Sequence, residues 1–549
     1  MKPFGGAFVL SIALTLFSAQ AAFPQLPKPG ASFHSAGDDG GWTWYNEPKA
    51  VYYEGTHKRT YFGWVSQSSS DGKARVAMFD HETNQTVVTV MKTKYAADDH
   101  SHPAIFVRPD GRILVCYTGH GMVGRGMSIA ISKDPEDISV FSSDMEMLTI
   151  DTMGITYPNI LFLSDEGAQG RFYLCFRGLY NMPCWTHSDD GGVTWSKVVK
   201  FFHSNNAPEL HRPYFKYCSN GKDEIHMIIE AWHRRYNPPV YYMKYKKGAF
   251  YKDNGTRVGD TTNLPIYNNL MDTLWNADAT GRTMTCWDIA LDNSGLPVFV
   301  ADIFTSSSNN TDWTLNHNYY YYRWDGTKWF NKHLVDAGHA MGGEAGFAGG
   351  LTLDHENPNI VYVSRQYGVL KDELNFSSIT DTTHEIEKWV TSDKGATWDT
   401  FPITSNSAKK NTRPCVPRGH KAGGKFELMW MYGDYTNYTA GGFPDKINFY
   451  PYDEITSHVE KPRRHAGHSS SLFLYDNGIT VTLANPAASS LRVYNLSGRL
   501  VADYTPAVRR MKAGTGHLAW SELGSAGGCF VVELNDGGKR ETMNCYLMP

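Results

Sequence analysis

Several short stretches carry the residue types needed to move a proton beside an acid group. Asp98-Asp99-His100-Ser101-His102-Pro103 is followed by Arg112-Ile-Leu-Val-Cys-Tyr-Thr-Gly-His120, so His100 and His120 bracket one hairpin and can reach the same end of it. Thr156-Tyr157-Pro158-Asn159 precedes Phe176-Arg177-Gly178, and His211-Arg212-Pro213-Tyr214-Phe215-Lys216-Tyr217 precedes Ala231-Trp232-His233-Arg234-Arg235. Histidine titrates near neutral pH, tyrosine can give or take a proton, and a guanidinium can grip a carboxylate through two hydrogen bonds. Taken singly, each residue has a plainer reading. A histidine near a turn is commonly a surface or internally bonded residue, the chain holds 32 tyrosines, and Arg177 can pair with an aspartate. Their recurrence at corresponding ends of neighbouring repeats singles them out.

The repeat is a short apolar strand, often preceded by a turn. It recurs at Thr60–Ser66, Arg112–Thr118, Arg171–Arg177, Glu224–Glu230, Leu296–Asp302, Asn359–Arg365 and Lys425–Met431. A period of this size accommodates one four-stranded sheet with its loops, and such sheets arranged radially make a β-propeller with short, protected edges. The expected fold is therefore all-β: a seven-bladed propeller over residues 30–457. In this register Arg177 falls where Thr118 stands in the preceding copy, and a charge at the end of a buried strand needs a partner or a ligand. Ser188-Asp-Asp-Gly-Gly-Val-Thr-Trp195 and Thr391-Ser-Asp-Lys-Gly-Ala-Thr-Trp398 share the Asp-box pattern S/T-x-D-x-G-x-T-W. That pattern is structural: the Asp caps a hairpin turn, the Gly permits positive φ and the Trp packs between strands.

The remaining features bound the setting. With 549 residues more than one domain is expected, and 41% hydrophobic against 20% charged residues fits a globular protein. The net charge of -4 gives no basic field for nucleic acid. Residues 1–22 read as a signal peptide, with Lys2, an apolar run from Ala7 to Phe17 and small residues before Ala22, so export and a secreted or cell-surface location are expected. No later run is long and apolar enough to span a bilayer as a helix. Residues 458–471 form a basic, Ser-rich linker, and 472–549 a small C-terminal β-sandwich. Cys116 and Cys175 sit in apolar strands and are expected in the core. Cys529 and Cys545 flank Gly537, and a hairpin centred there would set them face to face for a disulfide.

The segment from about Gly41 to Gly442 resembles the BNR-repeat propellers that include the ulvan lyases and the rhamnosyl-glucuronate lyases. The resemblance rests on D-D-H-x-H-P with G-R-I-L-V-x-Y-T-G-H, on T-Y-P-N with F-R-G, on S-D-D-G-G-x-T-W, on H-R-P-Y-x-K-Y and on G-G-L-T-L-D-H-E-N-P-N-I-V-Y-V-S-R. It implies β-elimination at a uronic acid by a polysaccharide lyase. His100 and His120 match the family's two active-site histidines, Tyr157 the third-blade tyrosine, Arg177 the arginine after it and Tyr214 the tyrosine of R-P-Y-x-K-Y. In such a reaction Arg177 would neutralise the substrate carboxylate, His120 or Tyr157 would transfer protons, and His100 and Tyr214 would position the sugar. His102, Arg212, Lys216, Trp232 and Arg365 are expected to contact an acidic polysaccharide. No cofactor is required for the chemistry. The family's propellers can hold structural zinc or calcium, with His233 the candidate ligand and Cys184 or His187 its stand-in partner. The last 80 or so residues resemble the C-terminal sorting domains of the type IX export route, through x-V-Y-N-L-S-G-R-L-V and G-x-F-V-V-E-L. That resemblance implies secretion machinery or surface attachment.

Two other readings compete. Asp-boxes also occur in sialidases and other glycoside hydrolases, but the R-I-P motif of sialidases is absent and the D-D-H-x-H-P cluster has no role in their mechanism. A non-catalytic glycan-binding propeller fits the 13% aromatic content and the sorting-like C-terminus.

Overall fold

The computed structural model describes residues 34–547, apart from 38, 67–71, 96–97, 121–125, 143–144, 148–153, 205–212, 232–238, 306–315, 342–346, 367–383, 405–406, 440–441, 452–470 and, in the C-terminal unit, 476–477, 484–485, 496–499, 512–513, 520–527 and 537–538. The chain forms two compact units, residues 1–457 and 458–549.

The first unit is a β-propeller. Among the described residues it contains seven antiparallel sheets of four or more strands, joined in sequence. Blade I comprises Ala50–Glu54, Lys58–Val65, Gly72–Asp80 and Gln85–Tyr95. Blades II to VI open with Ala104–Val107, Thr156–Leu163, Tyr214–Ser219, Arg282–Leu291 and Leu351–Leu353. Blade VII is built from Lys410–Cys415, Leu428–Gly433 and Lys446–Tyr450, and its outer strand is the N-terminal His34–Gly37. The ring is thus closed by strand pairing between the two ends of the unit. Every copy of the sequence repeat is the second strand of its blade.

Alternation explains the packing. Successive residues of a strand face opposite sides of its sheet. In Ile113–Thr118, Ile113, Val115 and Tyr117, with Ile105 of the same blade, pack with Tyr61, Val76 and Met78 of blade I. Leu114 and Cys116 pack with Ile160, Phe172 and Leu174 of blade III. Both faces of each sheet are therefore apolar, which is why the strands read as continuous hydrophobic runs rather than alternating ones. Corresponding clusters join every other neighbouring pair of blades, including VII to I, where Phe426 stacks on Phe449 beside Phe62 and Phe79. Each fully buried large side chain contributes roughly 1.5–3 kcal/mol. Both Asp-boxes form their turns. Asp190 accepts from the backbone N–H of Thr194 at 2.8 Å, Gly192 takes φ 90°, and the Trp195 indole donates to Gly192 O at 3.0 Å. Asp393, Gly395 and Trp398 repeat the arrangement.

The axis of the ring is filled by residues 40–49. Gly40 and Gly41 run so close to Val65 and Met431 that a Cβ on either would collide. From there the segment bonds to several blades in turn. Thr43 N–H donates to Asp99 O, the Asn46 amide to the carbonyls of His100 and His102, and Glu47 N–H to Pro158 O. The Trp44 indole stacks on Trp287 of blade V at 3.9 Å. Glu47 is buried among three cations: Lys49 in direct contact, Lys216 of blade IV at 3.1 Å and Arg418 at 3.4 Å. Burial alone would raise its pKa, but these cations outweigh that and hold the carboxyl down to about 2.

Among the described residues the second unit has two sheets, one of Ser471–Tyr475, Gly478–Leu483 and Gly514–Ala519, the other of Leu500–Asp503, Ser489–Asn495, Gly528–Asp536 and Lys539–Leu547. Both contribute to one core through Val481, Leu483, Leu491, Val493, Val532 and Leu534. The final ladder pairs Asp536 with Lys539 and Cys529 with Tyr546, while Cys545 pairs with Phe530. The face-to-face register expected for the two cysteines is therefore missed by one residue. Cys116 and Cys175 are buried free thiols, as expected.

Glu47→Gln would remove the anion from between Lys49 and Lys216. A loss of about 3–5 kcal/mol in denaturant-unfolding free energy is expected, and a loss below about 1 kcal/mol would show that the axial cluster does not hold the ring.

Candidate active site

The site lies at the end of the ring where inner strands of blades II to IV begin and their second strands finish. Asp98 caps the short helical turn Asp99–Ser101 by accepting from His100 N–H at 2.9 Å. The same carboxylate reaches both histidines: Oδ1 lies 2.6 Å from His100 Nδ1 and Oδ2 lies 2.8 Å from His120 Nδ1. The imidazole rings stack 4.0 Å apart, inclined by 7°. Asp99 Oδ1 is also 2.8 Å from His100 Nδ1, though poorly angled for a hydrogen bond. Its other oxygen takes Arg413 and, at 2.9 Å, the Tyr435 hydroxyl, both from blade VII.

These contacts drive the two histidines apart electrostatically. Burial by itself would lower the pKa of His100, but the Asp98 and Asp99 carboxylates outweigh it and raise the group to about 9. His120 has burial and the neighbouring His100 cation against it, offset only in part by Asp98, and falls to about 4. At neutral pH one ring is an imidazolium and the other is neutral. An ionised carboxylate only accepts, so Nδ1 of His120 carries the proton and its Nε2 presents a lone pair.

Tyr157 sits at a bulge between Thr156 and Asn159 with φ 62°, a left-handed conformation that costs a bulky residue. The Asn159 amide holds it there, donating to Tyr157 O at 3.0 Å and to Tyr45 O of the axial segment at 2.9 Å. The Tyr157 hydroxyl donates to that of Tyr214 at 3.1 Å. Burial, then the neighbouring Tyr214, raise the Tyr157 pKa well above the usual phenol value. Arg177 ends the second strand of blade III. It is 5% exposed, donates to Tyr214 Oη at 3.2 Å and Thr156 Oγ1 at 3.3 Å, and stands 4.7 Å from the centre of the Tyr157 ring. Among the described residues no carboxylate pairs with it, and its Nε makes no hydrogen bond. One narrow pocket is lined by Arg177, Tyr157, Tyr214 and Tyr45, and a second by Tyr157, His100, Trp44, Phe347 and Tyr438. His100, His120, Tyr157, Arg177 and Tyr214 thus come together from three blades.

Three other sequence-derived candidates do not reach this opening. His102 is fully buried, with Nε2 2.9 Å from Thr43 O and Nδ1 3.1 Å from Pro103 O. Lys216 donates to Trp44 O and Glu47 within the axial cluster. Arg365 is buried against Glu387 at 2.7 Å. All three serve the fold, and substrate contact is corrected accordingly. Arg212, Trp232 and His233 lie outside the described residues. Cys184 Sγ lies against Met182 O and His187 Nδ1 contacts Ser196 Oγ. Asp98, His100 and His120 could hold a cation, their ligand atoms lying within 4.8 Å of one another. The Nδ1 atoms that would bind it are, however, already turned to Asp98. Sequence reasoning missed Tyr45, Phe347, Arg413, Tyr435 and Tyr438. It quoted Asp98 and Asp99 without giving them a role, although two acids directly before His100 are a legible signal.

Imidazole NMR of the intact chain should show two separate titrations. His100 should keep its proton until the pH approaches 9, and His120 should stay neutral until it falls toward 4. Two overlapping titrations near 6.5 would contradict this charge assignment.

The overall arrangement is matched by solved structures. A PL25 ulvan lyase bound to -[GlcA(1-4)Rha3S]- superposes with a TM-score of 0.56 at 15% identity, covering 78% of this chain and 96% of that one. A second PL25 ulvan lyase structure gives 0.55 at 15% identity over 77% and 96%. A further polysaccharide lyase gives 0.47 at 11% identity over 73% and 89%. No curated protein sequence matches. Residues 59–337 match the model of the BNR repeat-containing family, and with half its length covered the chain belongs to that family.

Proposed function

We propose that the chain is a polysaccharide lyase that cleaves a uronate-containing, rhamnose–glucuronate or ulvan-like glycan by β-elimination. The observation that carries this reading is Arg177: a buried guanidinium without a carboxylate partner among the described residues, bonded to the hydroxyls of Tyr214 and Thr156 and set over the Tyr157 ring. A buried cation of that kind is set for an anionic ligand. The PL25 ulvan lyases that share the fold support the same reaction class.

In this reading Arg177 binds the uronate carboxylate and stabilises the enolate-like charge that develops as C5 loses its proton. His120 Nε2 takes that proton. The electron pair forms the C4–C5 double bond, the C4–O4 bond breaks, and the Tyr157 hydroxyl protonates O4. Tyr157 suits the acid role because its phenol is held protonated, which leaves the base role to His120. His100, fixed between two carboxylates, and Tyr214 orient the sugar.

The test is ultraviolet absorbance of the full chain incubated with a panel of uronate polysaccharides, because elimination creates a double bond conjugated to the carboxylate. A rise is expected on at least one polymer, falling about 10²–10³-fold in Arg177→Ala, the scale of losing a preorganised charge stabiliser. New reducing ends without absorbance would replace the lyase with a hydrolase. Binding without either signal would leave a glycan-binding propeller.

A further inference from the structure

The ring closes where His34–Gly37 pairs with Lys446–Tyr450, and a buried acid stands at the head of that seam. Asp445 directly precedes the blade VII strand. Its carbonyl accepts from Gly40 N–H at 3.0 Å, where the N-terminal chain leaves the seam for the axis. The residue is 1% exposed, and among the described residues it is the one acid whose two carboxyl oxygens are both buried without a hydrogen bond. Other buried acids of the ring are answered: Glu47 by three cations, Asp99 by Arg413 and Tyr435, and Asp302 by His317 at 2.6 Å. Arg413, Lys410 and Lys409 from the first strand of blade VII and its approach act on Asp445 electrostatically, and Asp434, after the second strand, opposes them. Each of the three cations is engaged elsewhere. Arg413 bonds Asp99, Trp42 O and the Tyr435 hydroxyl, Lys410 donates to Tyr435 O at 3.0 Å, and Lys409 pairs with Asp434 at 2.9 Å. On one side Oδ1 lies against Gly433, where a Cβ would stand 2.3 Å from it, so no donor can enter there without moving backbone.

We infer that Asp445 is a proton-operated latch on the ring closure: protonated, it lets the N-terminal strand seat on blade VII, and ionised, it loosens that seam. A carboxyl packed without donors tolerates its neutral form and resists its charged one. Burial is the main cause and raises the group to about 7, against the pull of Arg413 and the two lysines. An unfolded Asp445 would ionise near 3.8. The stability that goes with the neutral form is therefore full below that value and is lost as the pH rises to about 7. Once ionised, the carboxylate can gain a donor only by drawing Arg413 or Lys410 from its present partner or by shifting its own backbone. Gly40 is bonded to that backbone, and the four-residue strand before it is held to blade VII by a short ladder.

Asp445→Asn in the full chain keeps the shape of the side chain and cannot ionise. Urea unfolding of both proteins from about pH 4 to about pH 8 isolates Asp445 from the histidines, which titrate in each. The unfolding equilibrium constant of the unsubstituted chain, divided by that of the variant, should rise by up to about tenfold per pH unit and level off above about 7. A ratio that stays constant overturns the inference. Amide hydrogen exchange of the unsubstituted chain locates the effect and decides the matter even where the variant does not fold. Between about pH 5 and about pH 8, corrected for intrinsic exchange, protection should fall by about tenfold or more at Gly40 and at the amides joining His34–Gly37 to Lys446–Tyr450, while the ladder of Ala104–Val107 in blade II keeps its protection. Unchanged protection at the seam, or an equal fall in every blade, overturns the latch.

Discussion

Closing seven sheets into a ring leaves a hole along the axis, and here the chain fills it with its own residues 40–49. Without that segment the inner strands would present bare peptide groups and the buried cation Lys216 to an empty channel. Glu47 answers the cations, and the backbone of Thr43 to Lys49 answers the strands. The same segment builds the floor of the catalytic opening. Lys216 draws down the Trp44 carbonyl, and the next residue, Tyr45, packs against both Tyr157 and Tyr214, with ring centres 5.1 and 4.6 Å away. Fold stability and site geometry therefore depend on one set of contacts.

A second constraint acts within the site. Two stacked imidazoles cannot both be charged at 4.0 Å in a buried setting without a large Coulombic cost. Asp98 sits between them and bonds to each, and Asp99 adds its charge to His100 alone. The asymmetry decides which ring holds the proton. It originates in blade VII, because Asp99 is fixed by Arg413 and Tyr435. Arg413 itself sits at φ 51° on a bulge between Thr412 and Cys415, the counterpart of the bulge that presents Tyr157. Local backbone irregularity is used twice to turn a side chain from its sheet toward the axis.

Much of this was legible in the sequence, and the limits have physical causes. The second strands were visible because each is apolar on both faces and flanked by turns, and the Asp-boxes because their bonds are local. His100, His120, Tyr157, Arg177 and Tyr214 stood out as chemistry-bearing types at strand ends. Depth along the axis was not legible. Lys216 shares a face with Tyr214 by the two-residue period, yet it lies deeper and is consumed by Glu47. His102 and Arg365 were misread for the same reason. The axial segment has no repeat or periodicity to mark it, and Arg413 and Tyr438 act across several hundred residues of sequence. The cysteine pairing of the C-terminal hairpin turned on one residue of register, finer than a turn signal can specify.

Arg177 shows how the fold supports a charge that no anion among the described residues pairs with. Two hydroxyls solvate the guanidinium, and the negative faces of the Tyr157 and Tyr214 rings lie 4.7 and 5.8 Å from it, so neutral dipoles and quadrupoles replace part of its lost hydration. An aspartate in their place would have stabilised the free protein more, but it would have repelled an acidic sugar. In the elimination reading the Tyr157 ring beneath Arg177 belongs to the proton donor, so an incoming carboxylate would meet the cation and the phenols together. A carboxylate there would draw on the guanidinium and relax its hold on the Tyr214 hydroxyl. In the elimination reading, ligand binding and readiness for proton transfer are in this way coupled through one buried cation.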